Sequence, residues 1–150
     1  MGAFLNPNAD SFIDDLNNDI YVDKSMIIEK LINLIDKSSS KYICVSRPRR
    51  FGKTMATNLI STFYSKGCDS RALFSNLKIA QTPNWDKNLN KFNVIKLDVQ
   101  PLLIGISPEN LVAKINSSIN KELLKTFPNS DIKIQDYLSE SLLKVLYNYR

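Results

Sequence analysis

Apolar residues recur every three or four positions over much of this chain, which is the spacing of amphipathic helices. Four main helices are predicted from this spacing, at about residues 23–37, 55–64, 107–126 and 135–150. Asp23 is expected to cap the first of them. Ser107 followed by Pro108 has the residue types that favour a helix start. Shorter helical segments are predicted around residues 11–17 and 72–74.

Two short apolar runs have the composition of buried strands instead. Residues 41–45 and residues 93–99 are rich in β-branched and other apolar side chains and are bounded by turn-forming residues. The first run leads into a basic, glycine-containing segment, and the helix at 55–64 follows directly. This order of strand, loop and helix is typical of a phosphate-binding motif in an α/β protein.

The basic loop, which we define as residues 46–54, carries the most informative residues of the chain. It reads Ser46-Arg47-Pro48-Arg49-Arg50-Phe51-Gly52-Lys53-Thr54. A helix start offers free backbone amides and the positive end of the helix dipole to an anion. In the usual motif the lysine reaches the β- and γ-phosphates of a nucleotide, and the hydroxyl of the next residue binds Mg²⁺. Gly52, Lys53 and Thr54 occupy the last three positions of that motif.

The basic loop departs from the usual motif at its start. Arg47 stands where the first glycine belongs, and Pro48 has no amide hydrogen to donate. Arg47, Arg49 and Arg50 can add guanidinium contacts to phosphate, although the sequence does not decide which of them does so. The alternative interpretation is a basic turn before a surface helix. The predicted strand before the loop and the helix after it favour nucleotide binding.

Composition excludes several other functions. The chain has 150 residues, of which 43% are hydrophobic and 23% charged, as expected of one globular domain or a piece of one. It has no histidine, which excludes a serine–histidine or cysteine–histidine nucleophile and a histidine-containing zinc site. Two isolated cysteines form no disulfide framework, and we therefore expect a reducing, cytoplasmic location. No apolar run of the sequence is long enough to cross a membrane. The net charge is +5, and much of it comes from residues 47–53.

Four segments of the chain resemble the predicted AAA-ATPase-like proteins, whose ATPase domain is often joined to a C-terminal PD-(D/E)XK nuclease-like domain. The matching segments are Phe4-Leu5-Asn6-Pro7, Tyr21-Val22-Asp23-Lys24-Ser25, the basic loop, and residues 74–80. The missing first glycine is usual in that family. The resemblance implies a P-loop NTPase fold, a three-layer α/β/α structure with an incomplete parallel sheet. Residues 1–40 would form an N-terminal arm and helix packed on the domain, and residues 41–150 would form the N-terminal part of a P-loop ATPase domain.

The resemblance also implies a site and its ligands. ATP and Mg²⁺ would be bound, with Pro48, Arg49, Arg50, Phe51, Gly52, Lys53 and Thr54 around the phosphates. Lys53 would be the catalytic lysine, and Thr54 would be the metal ligand. The segment 21–25 would lie near the adenine, or would simply cap a helix and bury its tyrosine.

The resemblance further implies that the chain stops before the acidic strand that holds Mg²⁺ in this family. Asp98 is the one candidate for that carboxylate, and a strand-end carboxylate without a metal role is the other interpretation. We therefore expect an ATP-binding module that hydrolyses ATP only when the acidic strand is present. Binding to a nucleic-acid backbone through the arginines, or an adaptor role without nucleotide, are the alternatives. The sequence leaves the oligomeric state and the choice between ATP and GTP open.

Overall fold

The computed structural model describes residues 2–35, 37, 42–83 and 85–148. The chain divides into two compact units. The first unit comprises Asn6–Val94, and the second comprises Gly2–Leu5 together with Ile95–Arg150.

Helices dominate both units. In the first unit they are α1 (Asp10–Leu16), α2 (Met26–Ile35), α3 (Lys53–Tyr64) and α4 (Arg71–Phe74), with 3₁₀ turns at Lys78–Gln81 and Trp85–Asn88. In the second unit they are α5 (Val99–Leu102), a 3₁₀ turn at Pro108–Asn110, α6 (Leu111–Thr126) and α7 (Leu138–Asn148). The four main helices predicted from apolar spacing are confirmed within a few residues at their ends. None of the described helices is long and apolar enough to cross a membrane.

The predicted three-layer α/β/α P-loop fold with a parallel sheet is wrong. The described residues contain no β-strand, only two isolated bridges, Leu5 with Ile95 and Ser65 with Phe92. Residues 42–48 have no regular secondary structure and are all exposed, while Lys41 lies outside the described residues. The predicted strand at 93–99 keeps a single bridge residue, Ile95, and gives way to α5.

The error in the fold prediction has a physical cause. A strand is stabilised by backbone hydrogen bonds to a neighbouring strand and by burial of its side chains, so a short apolar run forms one only where both are supplied. Tyr42 and Val45 would lie on opposite faces of such a strand, and they are 86% and 58% exposed. Residues 42–45 therefore bury neither face.

Aromatic side chains form the centre of the first unit. Phe12 of α1 stacks on Phe74 of α4 with ring centroids 5.1 Å apart, and Phe63 of α3 meets Phe74 edge-on at 5.2 Å. All three rings are fully buried, as are Ile28 of α2 and Ile79. Because α3 contributes Phe63 and its neighbour Leu59 to this core, packing holds in place the helix that begins at the basic loop.

A carboxylate of α6 holds the start of the chain in the second unit. The Glu122 carboxylate of α6 accepts hydrogen bonds from the backbone amides of Ala3 (2.6 Å), Phe4 (3.0 Å) and Leu5 (2.8 Å). A Cβ atom on Gly2 would lie 2.2 Å from a Glu122 oxygen, so a larger residue there would displace the Glu122 carboxylate. The contact brings Leu5 into a core with further buried apolar residues, which are Ile119, Leu123 and Ile132.

Candidate functional site

The basic loop turns sharply before α3 begins. Arg50 and Gly52 both have left-handed backbone conformations, with φ of 66° and 72°. Gly52 is the N-cap of α3 and offers no side chain to the free amides of the first turn. The left-handed conformation costs a non-glycine residue roughly 1–2 kcal/mol. The strain therefore lies at Arg50 and not at Arg47, which stands where the usual motif has its first glycine.

Lys53 folds back over the start of the basic loop. Its Nζ donates to the backbone carbonyl oxygens of Arg47 at 2.6 Å and Pro48 at 2.9 Å. These contacts require residues 47–53 to curve, since the first and last residues of the segment meet. Both acceptors are neutral carbonyl groups, and the lysine side chain is exposed. An anion that reached the ammonium group would form a stronger hydrogen bond than these carbonyls, because both partners would then be charged.

The structure brings some of the predicted site residues together and leaves others apart. Arg50, Phe51 and Gly52 line a common cleft, and Lys53 contacts Pro48. Arg49 and Thr54 are exposed and do not line the cleft, although Thr54 lies in the first turn of α3 beside Lys53.

The cleft beside the basic loop has a volume of about 310 Å³. Three segments of the first unit form its walls: residues 20–24, residues 50–52 and the first turns of α3. Its lining residues are Ile20, Tyr21, Val22, Lys24, Arg50, Phe51, Gly52, Met55, Ala56 and Leu59. The walls are mainly apolar and aromatic, with Lys24 and Arg50 as the only charged side chains in that lining. A volume of this size lies at the lower end of the range for small-molecule sites.

Hydrogen bonds fix the segment that forms one wall of the cleft. The Asp23 carboxylate accepts from the backbone amides of Ser25 and Lys78, both at 2.8 Å. The buried Ser25 hydroxyl accepts from the Ile79 amide at 3.1 Å. Tyr21 lies on the same segment and buries its hydroxyl group, and this burial, together with the nearby Asp23 and Asp15 carboxylates, raises the pKa of Tyr21 to about 12. The cleft wall is therefore held by the 3₁₀ turn at Lys78–Gln81.

The pH dependence of this wall follows from Asp23. Burial acts to raise the pKa of Asp23, but hydrogen bonds from the Ser25 side chain and from the amides of Lys78 and Ser25 outweigh it and lower the pKa. A carboxylate with a lowered pKa in the folded state stabilises the protein above its unfolded pKa and loses that effect as the pH falls through the folded value.

We therefore expect Asp23→Asn to have a free energy of unfolding at pH 7 that is about 1 kcal/mol lower than that of the parent, because the variant loses a charged hydrogen-bond acceptor. The difference should shrink as the pH falls below the ordinary aspartate pKa of 3.8. Urea unfolding at pH 7, 5 and 3 measures it, with the exposed Asp14→Asn as the matched control. A difference that is constant over this pH range would contradict the assignment.

Lys24 is the site residue that the motif analysis missed. Its Nζ donates to the Phe51 carbonyl oxygen at 3.2 Å, and a Cβ atom on Gly52 would lie 2.7 Å from that nitrogen. The available signal was its place in the run Tyr21-Val22-Asp23-Lys24-Ser25, which supported the resemblance but gave this lysine no role.

Asp98 has a structural partner. Its carboxylate accepts from the Gln100 amide at 3.1 Å and caps the start of α5. No group of three or more acidic, cysteine or histidine residues suited to a metal ion occurs in the described part of the chain.

Comparison with known proteins gives one match. The AAA-ATPase-like family model, described as predicted AAA-ATPase, matches residues 12–149. Neither a search of curated proteins nor a search of solved structures gave a match to this chain.

Proposed function

Because the chain belongs to the AAA-ATPase-like family of predicted AAA-ATPases, we propose that its first unit is an ATP-binding module. The observation that carries this proposal is the cleft, which opens beside a curved, basic loop at the start of a 12-residue helix. A triphosphate needs cations and free amides, and a base needs an apolar slot next to them. The described residues of the first unit offer both features side by side.

On the phosphate side, the proposal assigns the binding groups to the basic loop. Lys53 would exchange its two carbonyl acceptors for oxygens of the β- and γ-phosphates, where charge makes the hydrogen bonds stronger. Gly52 would let the phosphate approach the backbone without obstruction by a side chain. Pro48, Arg49, Arg50 and Phe51 complete the loop, and the two arginines add positive charge to it.

On the base side, the proposal assigns the cleft to adenine. Ile20, Met55 and Leu59 are apolar, and Tyr21 and Phe51 are aromatic, so the walls suit a flat and weakly polar ring. The segment 21–25 would then lie beside the base, as the family resemblance implied.

The residues present also suit a magnesium ion bound together with the nucleotide. Mg²⁺ prefers oxygen ligands, retains several waters, and is usually held by phosphate oxygens with only one or two protein groups. The exposed Thr54 hydroxyl, next to Lys53, would be the protein ligand. When bound, the ion would neutralise charge on the β- and γ-phosphates.

For catalysis, we propose that Lys53 stabilises the charge that develops on the γ-phosphate when water attacks it. Hydrolysis also needs a group that orients this water, usually a carboxylate or an amide. The residues that line the cleft include no acidic side chain. The proposal for this chain is therefore ATP binding, and hydrolysis needs a water-orienting group outside the cleft that is assigned to adenine.

The exposed arginines favour a second candidate function, which is binding to a nucleic-acid backbone. Arg47, Arg49 and Arg50 are all exposed on the basic loop. Exposed guanidinium groups contact phosphodiesters, and such binding weakens steeply as salt is added. An adaptor that binds neither ligand remains the third possibility raised by the sequence.

A titration with a fluorescent ATP analogue and Mg²⁺ separates these functions. We expect saturable binding that unlabelled ATP displaces and that the double variant Arg49→Gln/Arg50→Gln weakens only in part. A single-stranded DNA oligonucleotide is the competing ligand in a parallel titration. Absence of analogue binding, combined with salt-sensitive DNA binding that the double variant loses, would instead support the second function.

A further inference from the structure

We propose that Lys24 is a positioning residue of the phosphate site, one that holds the Phe51–Gly52 peptide group in the orientation that phosphate binding requires. This inference rests on the proposed ATP-binding function and adds a residue from outside the basic loop. The contact that carries it is the hydrogen bond of 3.2 Å from Lys24 Nζ to the Phe51 carbonyl oxygen.

The geometry of the peptide bond connects this contact to phosphate binding. In a planar trans peptide the carbonyl oxygen and the following amide hydrogen point in opposite directions. Because the Phe51 carbonyl faces Lys24, the amide of Gly52 faces away from Lys24. Gly52 is the N-cap of α3, so its amide belongs to the group of free donors at the helix start. Lys24 thus sets the direction of a donor that it does not itself contact.

The conformation of Gly52 supports the same role. Its φ of 72° is one that other residues rarely adopt, and an added Cβ would lie 2.7 Å from Lys24 Nζ and 4.0 Å from Lys24 Cε. The left-handed backbone and the absence of a side chain together let the lysine reach the loop. A larger residue at position 52 would displace the ammonium group from the Phe51 carbonyl.

The chain also holds the base of the Lys24 side chain in place. Both neighbours of Lys24 are anchored to the same turn, since Asp23 accepts from the Lys78 amide and Ser25 accepts from the Ile79 amide. A lysine on a mobile segment would also lose backbone entropy on making this hydrogen bond. Anchoring on both sides means that the backbone at Lys24 is already ordered when that bond forms.

A purely structural role for Lys24 predicts a different outcome. An exposed lysine that donates to one carbonyl contributes only about 0.5–1.5 kcal/mol to stability, with no selectivity among ligands. A positioning role predicts that the affinity for ligands with phosphates falls much more than the affinity for the same nucleoside without phosphates. The comparison between ATP and adenosine therefore distinguishes the two roles.

The test measures displacement of the fluorescent ATP analogue by ATP and by adenosine. Lys24→Met keeps the apolar stem and removes the donor, whereas Lys24→Arg keeps a donor. The exposed Lys30→Met on α2 is the matched control. We expect the dissociation constant for ATP to rise about 5- to 10-fold in Lys24→Met, the equivalent of one lost hydrogen bond, and to recover most of the way in Lys24→Arg. The affinity for adenosine should change much less than the affinity for ATP in Lys24→Met, although Lys24 also lines the cleft.

An unchanged ATP affinity in Lys24→Met would overturn the inference, and so would an equal loss for adenosine. Thermal unfolding of each variant verifies that it is folded, and Lys24→Gln replaces Lys24→Met if the latter is not. Measuring Lys53→Met in the same experiment distinguishes a wrong role for Lys24 from a wrong proposed function. If the parent does not bind ATP, or if Lys53→Met binds ATP as the parent does, the proposed function itself is wrong.

Discussion

Lys53→Met is expected to weaken ATP binding by about 10- to 100-fold, the equivalent of losing charged hydrogen bonds worth about 1.5–3 kcal/mol. The Lys53 ammonium group folds back over the basic loop and donates to the carbonyl oxygens of Arg47 and Pro48. These carbonyls are weaker hydrogen-bond acceptors than phosphate oxygens. Methionine keeps the length and apolar character of the stem, so the loss reports on the ammonium group. Calorimetric titration with ATP and Mg²⁺ measures the change.

The free energy of unfolding of Lys53→Met should fall by no more than about 1.5 kcal/mol, because the side chain is exposed and donates only to two carbonyls of the loop. Lys30→Met removes the same charge from the exposed face of α2 and should leave ATP binding intact. If the two variants lose affinity equally, the effect comes from net charge alone, and Lys53 has no special place in the site.

Phe74→Ala is expected to lower the free energy of unfolding of the first unit by about 3–5 kcal/mol. Phe74 is fully buried and makes ring contacts with Phe12 and Phe63, so its removal leaves a cavity and breaks two aromatic pairs. Trp85 is the only tryptophan of the chain and packs against the same core. Its fluorescence during urea unfolding therefore reports on this unit.

Phe51→Ala is the matched control for this core variant. Phe51 is 61% exposed, so its truncation should change stability by less than about 0.5 kcal/mol. It lines the cleft, so the same change should weaken binding of the ATP analogue. A stable Phe74→Ala variant, or a strongly destabilised Phe51→Ala variant, would contradict the assignment of the core.

The helices were predictable because each has a local cause in the sequence. The apolar residues of α3 and α6 recur at helical spacing, and that spacing buries Leu59 and Phe63 in one unit and Ile119 and Leu123 in the other. The left-handed backbone at Gly52 was not predicted, although glycine is the residue that adopts it most readily.

The absence of a sheet in the described residues and several side-chain contacts could not be predicted, because both depend on residues far apart in the sequence. Residues 42–45 are apolar, yet no described strand pairs with them. Asp98 was expected at the end of a strand but caps α5. The contact of Lys24 with Phe51 joins positions 27 residues apart, and that of Glu122 with the start of the chain joins positions more than 100 apart. Neither Lys24 nor Glu122 belongs to a sequence motif from which its contact could be predicted.

The most direct test of the ATP-binding proposal is a nuclear magnetic resonance titration of the ¹⁵N-labelled protein with ATP and Mg²⁺. The proposal predicts that the largest changes in amide chemical shift occur at residues 51–54, with a second group at residues 20–24 along the cleft wall. Adenosine should shift the second group together with Phe51 and Gly52, which also line the cleft, and should leave residues 53 and 54 nearly unchanged. Saturating ATP without shifts at residues 51–54, or with its largest shifts in the second unit, would contradict the proposal.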